Sequence, residues 1–274
     1  MSVVPAAITS RHNPRFRQAL ALRDARQRRR SGRLLVDGAR EVGRAVAAVH
    51  AALEAWVAFE RIRSEDARAV LADLGAAGAD VLEVSAELLA RLAYGDRDEG
   101  LVAVFPLPAT DIGRLELPAS PLVGVLVGLE KPGNLGAVMR SADGAGVDAL
   151  IVADPTSDVW NPNAIRASLG TVFSLRLAVC TSEEARAELT GRGIRMVAAD
   201  PGGEVGYDQV DRRGSVAIVL GAEATGLPDA WRGGDVVRTR IPMHGAADSL
   251  NVAASAAILF YEAHRQRGDT PRPR

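Results

Sequence analysis

The sequence predicts an α/β protein of two domains. Strand-like and helix-like segments alternate along the whole of its 274 residues. In the second half the strand-like segments are near-continuous Val, Leu and Ile runs, the pattern of a parallel sheet covered by helices on both faces. Between the two alternating series lies Pro106–Pro121 with four prolines, Pro106, Pro108, Pro118 and Pro121, which reads as a linker or stiff junction. The expected domains are therefore 1–105 and 121–268, joined by 106–120.

The first series opens with a helix over 13–30, where Asn13-Pro14 supplies a cap and a proline at the first helical position. RLLVDG (33–38) reads as a strand, Ala39 to about His50 as a helix, EAWVAF (54–59) as a strand and Ser64–Leu74 as a helix. DVLEV (80–84), a short helix over Ala86–Leu92 and GLVAVF (100–105) complete a compact unit. In the second series the expected strands are LVGVLVG (122–128), ALIVA (149–153), SLRLAV (174–179), RMVAA (195–199), VAIVLG (216–221) and VVRTRI (236–241). Helices are expected around Gly136–Ala145, Ala164–Leu169, Ser182–Gly191 and Ser249–Arg265. No internal repeat is present, and the tail GDTPRPR reads as disordered.

Charge is unevenly distributed. Residues 1–40 hold ten arginines against two aspartates, a surplus of eight, so the overall net charge of −1 leaves −9 for the remainder. A basic arm on a near-neutral body is the footprint of a phosphate-binding protein, and Arg11, Arg15, Arg28, Arg29 and Arg30 are the candidate contacts to RNA or DNA. The alternative is a solvated helix in an arginine-rich protein, since Lys131 is the only lysine. No apolar stretch reaches the roughly 18–20 residues that span a bilayer, and the N-terminus has no basic segment ahead of an apolar one. The expectation is a cytoplasmic protein that does not enter membranes.

Other chemistries find little support. One cysteine, Cys180, excludes a disulfide framework and a multi-cysteine metal site, and its apolar run marks it as an inert strand residue. The four histidines are scattered, and HExxH, GxSxG, GxGxxG and GxxxxGK[ST] are all absent. His244 reads as a solvated loop residue.

Ligands of parallel α/β sheets bind outside the carboxyl ends of the strands, and three segments directly follow strands. In GLEKPGNLGAVMRSA (128–142), Pro132-Gly133-Asn134 reads as a tight turn with Gly136 opening a helix. Arg140 on that helix is placed to fork onto a phosphate, unless it is only an exposed helix residue. In LGAEATGL (220–227), Gly221 and Gly226 let the backbone approach a ligand and Glu223 stands between them. In IPMHGAADSLNVAASAAI (241–258), Ser249 reads as the N-cap of a helix. Ala253, Ala254, Ala256 and Ala257 give that helix a thin side, and the polarity of Asn251 is left without a structural task.

Together these three segments, in this order, resemble the SpoU (TrmH-like) class of the SPOUT methyltransferases over roughly 120–265. ITSRHNPRFRQALAL, LLVDGAREVGRAV and EGLVAVF in the first half are similar to the L30e-like substrate-binding domain found ahead of that catalytic domain. The resemblance implies a C-terminal deep trefoil knot, a homodimer with the active site near the subunit interface, and S-adenosyl-L-methionine as cofactor. It implies cofactor contacts at Gly221, Ile241, Met243 and Leu250, and a polar catalytic site of Asn134, Arg140, Glu223, Ser249 and Asn251. The implied reaction is methylation of a ribose 2′-hydroxyl in structured RNA, with 23S rRNA the first expectation and tRNA the alternative. A non-catalytic RNA-binding factor keeping the fold, or an NAD enzyme, is disfavoured by the intact polar set and the missing glycine fingerprint. Arg140 is implied to be the base. Arginine normally stays a cation, which makes gripping a phosphate, or stabilising a developing alkoxide, the physically cheaper role. Two positions depart from the family's pattern, which commonly has aspartate where Lys131 and Val127 stand here.

Overall fold

The computed structural model describes residues 7–49, 51–95 and 99–268. They divide into two compact units, Met1–Pro108 with Trp160–Ser174, and Ala109–Val159 with Leu175–Arg274. All but Gly268 of the tail expected to be disordered lies outside the described residues.

The first unit opens with two helices where one is expected. α1 (Pro14–Ala21) begins as the sequence predicts: Asn13 accepts from the backbone N–H groups of Arg15 and Phe16, with Pro14 at the first turn. The chain then leaves the helix, and Asp24 caps a second one, α2 (Ala25–Ser31), by accepting from Gln27 N–H. An Asp that restarts a helix is a signal that the expectation of one helix over 13–30 passes over. β1 (Arg33–Asp37), α3 (Ala39–Val49), β2 (Glu54–Val57), α4 (Glu65–Ala76), β3 (Asp80–Glu83), α5 (Ala86–Leu92) and β4 (Leu101–Pro106) follow close to expectation. The sheet order is β1-β4-β2-β3, with β4 antiparallel to both neighbours and β2 parallel to β3. One face packs α1 and α5 through Phe16, Leu22, Leu88 and Trp56, with the Phe16 and Trp56 rings edge to face at 6.2 Å.

The segment Trp160–Ser174 belongs to this unit although it lies inside the second half of the sequence. Asn161 caps α7 (Pro162–Ala167), the Trp160 and Phe173 rings stack at 5.9 Å, and Arg166 donates to the Tyr94 carbonyl at 2.5 Å. Arg44 donates to the Leu169 carbonyl at 2.7 Å.

The second unit contains β5 (Leu122–Val127), α6 (Pro132–Gly144), β6 (Ala149–Ala153), β7 (Arg176–Cys180), α8 (Ser182–Gly191), β8 (Arg195–Ala199), β9 (Val205–Gly206), β10 (Val216–Leu220), β11 (Val236–Arg240) and α9 (Val252–Arg267). Its strands form one parallel sheet ordered β7-β6-β5-β10-β8-β11-β9. Helices cover both faces, which is why the strands read as unbroken apolar runs. Val123, Val125, Val127, Ile151 and Ala198 face α8 and Trp231. On the other face Phe260 of α9 lies over Gly124, where a Cβ would come within 2.9 Å of the ring. Of the expected linker, Ile112, Leu115 and Leu117 pack against the sheet cluster, and Val179 donates to the Thr110 carbonyl at 2.8 Å.

Strand order locates the site. β6 and β7 extend from one side of β5, whereas β10, β8 and β11 extend from the other. The order therefore switches direction between β5 and β10, the position where parallel α/β sheets open a crevice at their carboxyl ends. Because β5 and β10 are parallel neighbours, the loops leaving them emerge side by side.

Candidate active site

The loop after β5 enters α6 directly. The expected turn at Pro132–Asn134 is the first turn of the helix instead, with Pro132 at its start and Lys131 just outside it. Proline is compatible with a first helical position because no N–H is needed there, so the helix gains a turn over the expected start at Gly136. Asn134 thereby sits on a rigid element.

The loop after β10 closes on itself: Gly226 N–H donates to the Ala222 carbonyl at 2.9 Å. A Cβ on Gly221 would lie 2.5 Å from the Gly226 carbonyl oxygen. Glycine is therefore needed at 221 for loop closure itself, not only for ligand space, and Glu223 is presented at the tip.

The loop after β11 ends where α9 begins, and there the capping assignment changes. Asn251, not Ser249, is the N-cap: its Oδ1 accepts from Ala253 N–H at 2.9 Å. Ser249 stands two residues upstream, exposed at the cleft. The thin alanine side also needs correction, since Ala256 is buried, Ala253 and Ala257 are half-buried, and Ala254 faces solvent. Helical periodicity separates 254 from the other three.

These loops bring four polar residues together. Asn251 Nδ2 donates to Glu223 Oε1 and, at 3.3 Å, to Asn134 Oδ1. Lys131 Nζ donates to Glu223 Oε2 at 3.2 Å, and Val252 N–H approaches Glu223 Oε1 at 3.4 Å. Partial burial raises the Glu223 pKa, but the hydrogen bond from Lys131, the Val252 N–H, the Lys131 charge and the contact with Asn134 outweigh it, and the net shift is downward.

Two cavities adjoin at Ala222 and Glu223. One, of about 150 Å³, is lined by Gly221, Ile241, Met243, Ser249 and Leu250 among others, so all four residues expected to hold the cofactor share one cleft. Leu250 is 37% exposed there, apolar surface that a ligand would cover. The other, of about 50 Å³, is lined by Leu129, Glu130, Lys131, Asn134 and Ala224 besides the shared pair.

Arg140 is not part of this cluster. It lines neither cavity, is exposed, and makes no hydrogen bond or ion pair among the described residues. Six helical positions past Asn134, it points roughly 120° away around α6 and about 9 Å along it. His244, exposed, does not line the cleft either.

Sequence reasoning missed the loop after β8. Asp200 and Pro201 line the larger cleft, and Asp200 is fixed by Arg238 Nε at 3.0 Å and Gly202 N–H at 2.9 Å. A signal does exist: Asp200-Pro201-Gly202-Gly203 directly follows a strand, as the other three site loops do. Lys131, in sequence only a departure from the family's pattern, is an ion-pair partner of Glu223. Cys180 ends β7, and burial together with Glu184 and Asp154 pushes its thiol up to about 11, as suits an inert residue. Among the described residues no cluster could hold a metal ion, and no helix is long and apolar enough to cross a membrane.

The arginines expected to meet RNA divide. Arg11, Arg29 and Arg30 are exposed. Arg15 is half-exposed and paired with Asp80 at 2.8 Å and Glu54 at 3.2 Å. Arg28 corrects the expectation: it is 2% exposed, and its Nη1 donates to the Leu22 and Arg23 carbonyls at 2.8 and 2.9 Å. It closes the turn between α1 and α2, satisfying carbonyls left at the end of α1.

A parallel sheet with a glycine-loop cleft at its switch point, and a small α/β unit ahead of it, is the architecture of the SPOUT methyltransferases. The chain belongs to the SpoU rRNA Methylase family, which matches residues 121–261. Residues 13–103 match the MRM3-like substrate binding domain. The chain is 35% identical to the 23S rRNA (uridine(2479)-2′-O)-methyltransferase of Streptomyces viridochromogenes, over 96% of this chain and 94% of that one. It is 36% identical to the 23S rRNA (guanosine-2′-O-)-methyltransferase RlmB of Bordetella pertussis, over 70% of this chain and 80% of that one. The solved SpoU methyltransferase AviRb from S. viridochromogenes, in complex with AdoMet, superposes with a TM-score of 0.84 at 32% identity, covering 93% of this chain and 98% of that one.

Proposed function

We propose that this protein transfers a methyl group from S-adenosyl-L-methionine to a ribose 2′-hydroxyl of structured RNA, 23S rRNA in the first instance. The observation that carries the reading is the pair of adjoining cavities that share Glu223. The larger one, walled by Gly221, Ile241, Met243 and Leu250, suits an adenosyl group: it has apolar side chains for a ring and a glycine loop that lets the backbone approach. The smaller one, beside Asn134 and Lys131, suits a ribose. The cofactor, when bound, supplies an activated methyl on a sulfonium. Glu223, held ionised by its neighbours, favours positive charge at that boundary, and Asn134, Asn251 and Ser249 orient the incoming hydroxyl.

Activating the hydroxyl requires loss of its proton or stabilisation of the oxygen as it loses it. A guanidinium is a donor and not an acceptor, so Arg140 serves by gripping a neighbouring phosphate or stabilising the alkoxide. Its position on α6, turned away from Asn134 and without a hydrogen-bond or ion-pair partner among the described residues, supports a homodimer in which Arg140 of one copy completes the site of the other. A C-terminal trefoil knot belongs to the same reading, and residues of the loops after β10 and β11 lining one cleft support it. Residues 1–105 hold the RNA through Arg11, Arg29 and Arg30, with Arg15 divided between RNA and its carboxylates. The protein works in the cytoplasm, where rRNA is assembled.

The test is incubation of the full chain with methyl-labelled S-adenosyl-L-methionine and fractionated total RNA, followed by nucleoside analysis. A labelled 2′-O-methylnucleoside in the 23S fraction is expected. Label confined to tRNA would move the substrate, and label on a base would overturn the ribose assignment.

A further inference from the structure

A cavity of about 370 Å³ opens inside the N-terminal unit, within the roughly 300–1,000 Å³ range of small-ligand sites. It lies at one end of the four-stranded sheet. Val104 is paired with Leu35 on one side and Glu54 on the other. Arg33 is two residues from Leu35, so Arg33, Val104 and Glu54 emerge on one face. α1 adds Gln18 and its C-cap Leu22 over that face, and α2 adds Gln27 and Arg30.

The polar groups around the cavity fall into two sets. The Glu54 carboxylate is fixed from two directions, by Trp56 Nε1 at 3.0 Å and Arg15 Nη2 at 3.2 Å. Its two oxygens accept about four hydrogen bonds in all, so acceptor capacity remains. The guanidiniums of Arg30 and Arg33 and the side-chain amides of Gln18 and Gln27 make no hydrogen bond or ion pair among the described residues. Each is ordinary alone. Their presence beside an oriented carboxylate in the lining of one cavity of ligand size suits a ligand with adjacent N–H donors on one edge and phosphate on another.

We propose that this cavity takes one unstacked nucleotide of the RNA substrate, with guanine preferred. This rests on the RNA-methylation reading above and adds where, and by which base, the N-terminal unit selects its substrate. Sequence-specific RNA recognition works mostly on unstacked bases read along their Watson–Crick edges. Guanine presents an imino and an amino donor side by side, which a carboxylate accepts as a pair. Uracil flanks its single donor with two carbonyls, which the same carboxylate repels. Leu22 and Val104, both buried, close the apolar floor of the cavity, and Arg30 and Arg33 take the flanking phosphates.

The experiment measures binding of the full chain to short labelled single strands, one uridine-only and one with a central guanosine, by fluorescence anisotropy across a salt series. The wild type should favour the guanosine strand. Glu54→Gln should reduce that preference at least fivefold, by weakening the guanosine strand and by relieving the repulsion that holds off the uridine strand. Arg30→Ala with Arg33→Ala should weaken both strands and lower the salt slope by about 0.7 for each phosphate no longer neutralised. Gln27→Ala, at a half-exposed position, provides a second reading of base preference if Glu54→Gln proves unstable in a thermal melt. Equal affinity for both strands in the wild type, or preference and salt slope unchanged in these variants, overturns the proposal. Methyl transfer to RNA by the wild type is scored separately. Transfer with an unchanged RNA KM in the variants removes the nucleotide pocket and leaves the enzyme, whereas absent transfer with intact guanosine preference does the reverse.

Discussion

The Asn251 side chain serves two elements at once. Its Oδ1 caps α9 through Ala253 N–H at 2.9 Å, and its Nδ2 binds Glu223 and Asn134. The start of the last helix and the polarity of the site are thus set by one amide. Asn251→Ala should lose about 1 kcal/mol of stability through the cap and most of the turnover. Asn251→Asp keeps a capping oxygen but replaces the donor with a second carboxylate facing Glu223. Its stability should recover relative to Asn251→Ala while turnover stays low, read by thermal melts beside single-turnover methyl transfer. Wild-type turnover in Asn251→Asp would falsify the role assigned to the Nδ2 contact.

Lys131 sets the acid limit of the site. The Glu223 pKa is lowered, with burial opposing and the Lys131 hydrogen bond the largest favourable influence. A carboxyl with a depressed folded-state pKa adds stability that is present above its ordinary value near 4.5 and lost as pH falls through the folded value. Lys131→Ala should therefore move the acid limb of the kcat/KM profile to higher pH, with little change in the melt at neutral pH because the ammonium is largely exposed. Lys131→Arg should restore most of the limb. Profiles that superpose for Lys131→Ala and wild type would remove Lys131 from the site.

Gly221 tests loop closure. A Cβ there meets the Gly226 carbonyl oxygen at 2.5 Å and the Leu227 nitrogen at 2.7 Å, and backbone cannot yield as a flexible side chain does. Gly221→Ala should already abolish S-adenosyl-L-methionine binding in calorimetry and lower the melting temperature. Gly226→Ala, where a Cβ would come no closer than 3.7 Å to the Arg232 side chain, should show the milder strain of a positive φ. Equal cofactor affinity in Gly221→Ala and wild type would mean that the loop re-forms without its glycine.

Much of this architecture is legible in the residues. The apolar runs locate all the strands of the parallel sheet except β9, two residues long and too short for any periodicity. Asn13-Pro14 marks the start of α1 because cap and proline are local chemistry. Sequence reasoning exchanges the roles of Asn251 and Ser249 because both are good capping residues, and only the path of the 241–251 loop decides which one meets the first free N–H. It misplaces Arg28 for a related reason: net charge says how many guanidiniums a helix carries, not which one is buried against the preceding turn. Trp160–Ser174 lies between two strands of the parallel sheet yet packs with the first unit, and no local pattern encodes that destination.

Arg140 provides the last and most demanding test. It is exposed, so Arg140→Ala removes little packing and should leave the melting temperature and cofactor affinity unchanged. Turnover should fall by roughly 10²-fold or more, as for loss of one positioned electrostatic donor, and Arg140→Lys should recover only part because an ammonium lacks the planar fork. If the arginine acts within its own subunit, mixing inactive Arg140→Ala with inactive Glu223→Gln protein yields no active site. If it reaches across a dimer, each mixed dimer holds one site with both defects and one with neither. Subunit exchange between the two variants should then restore a substantial fraction of wild-type single-turnover methyl transfer. The angular separation of Arg140 from Asn134 on α6 favours the second outcome. Near wild-type turnover in Arg140→Ala alone would reduce it to a surface residue, and the site would consist of Asn134, Glu223 and Asn251 with Lys131 beside them.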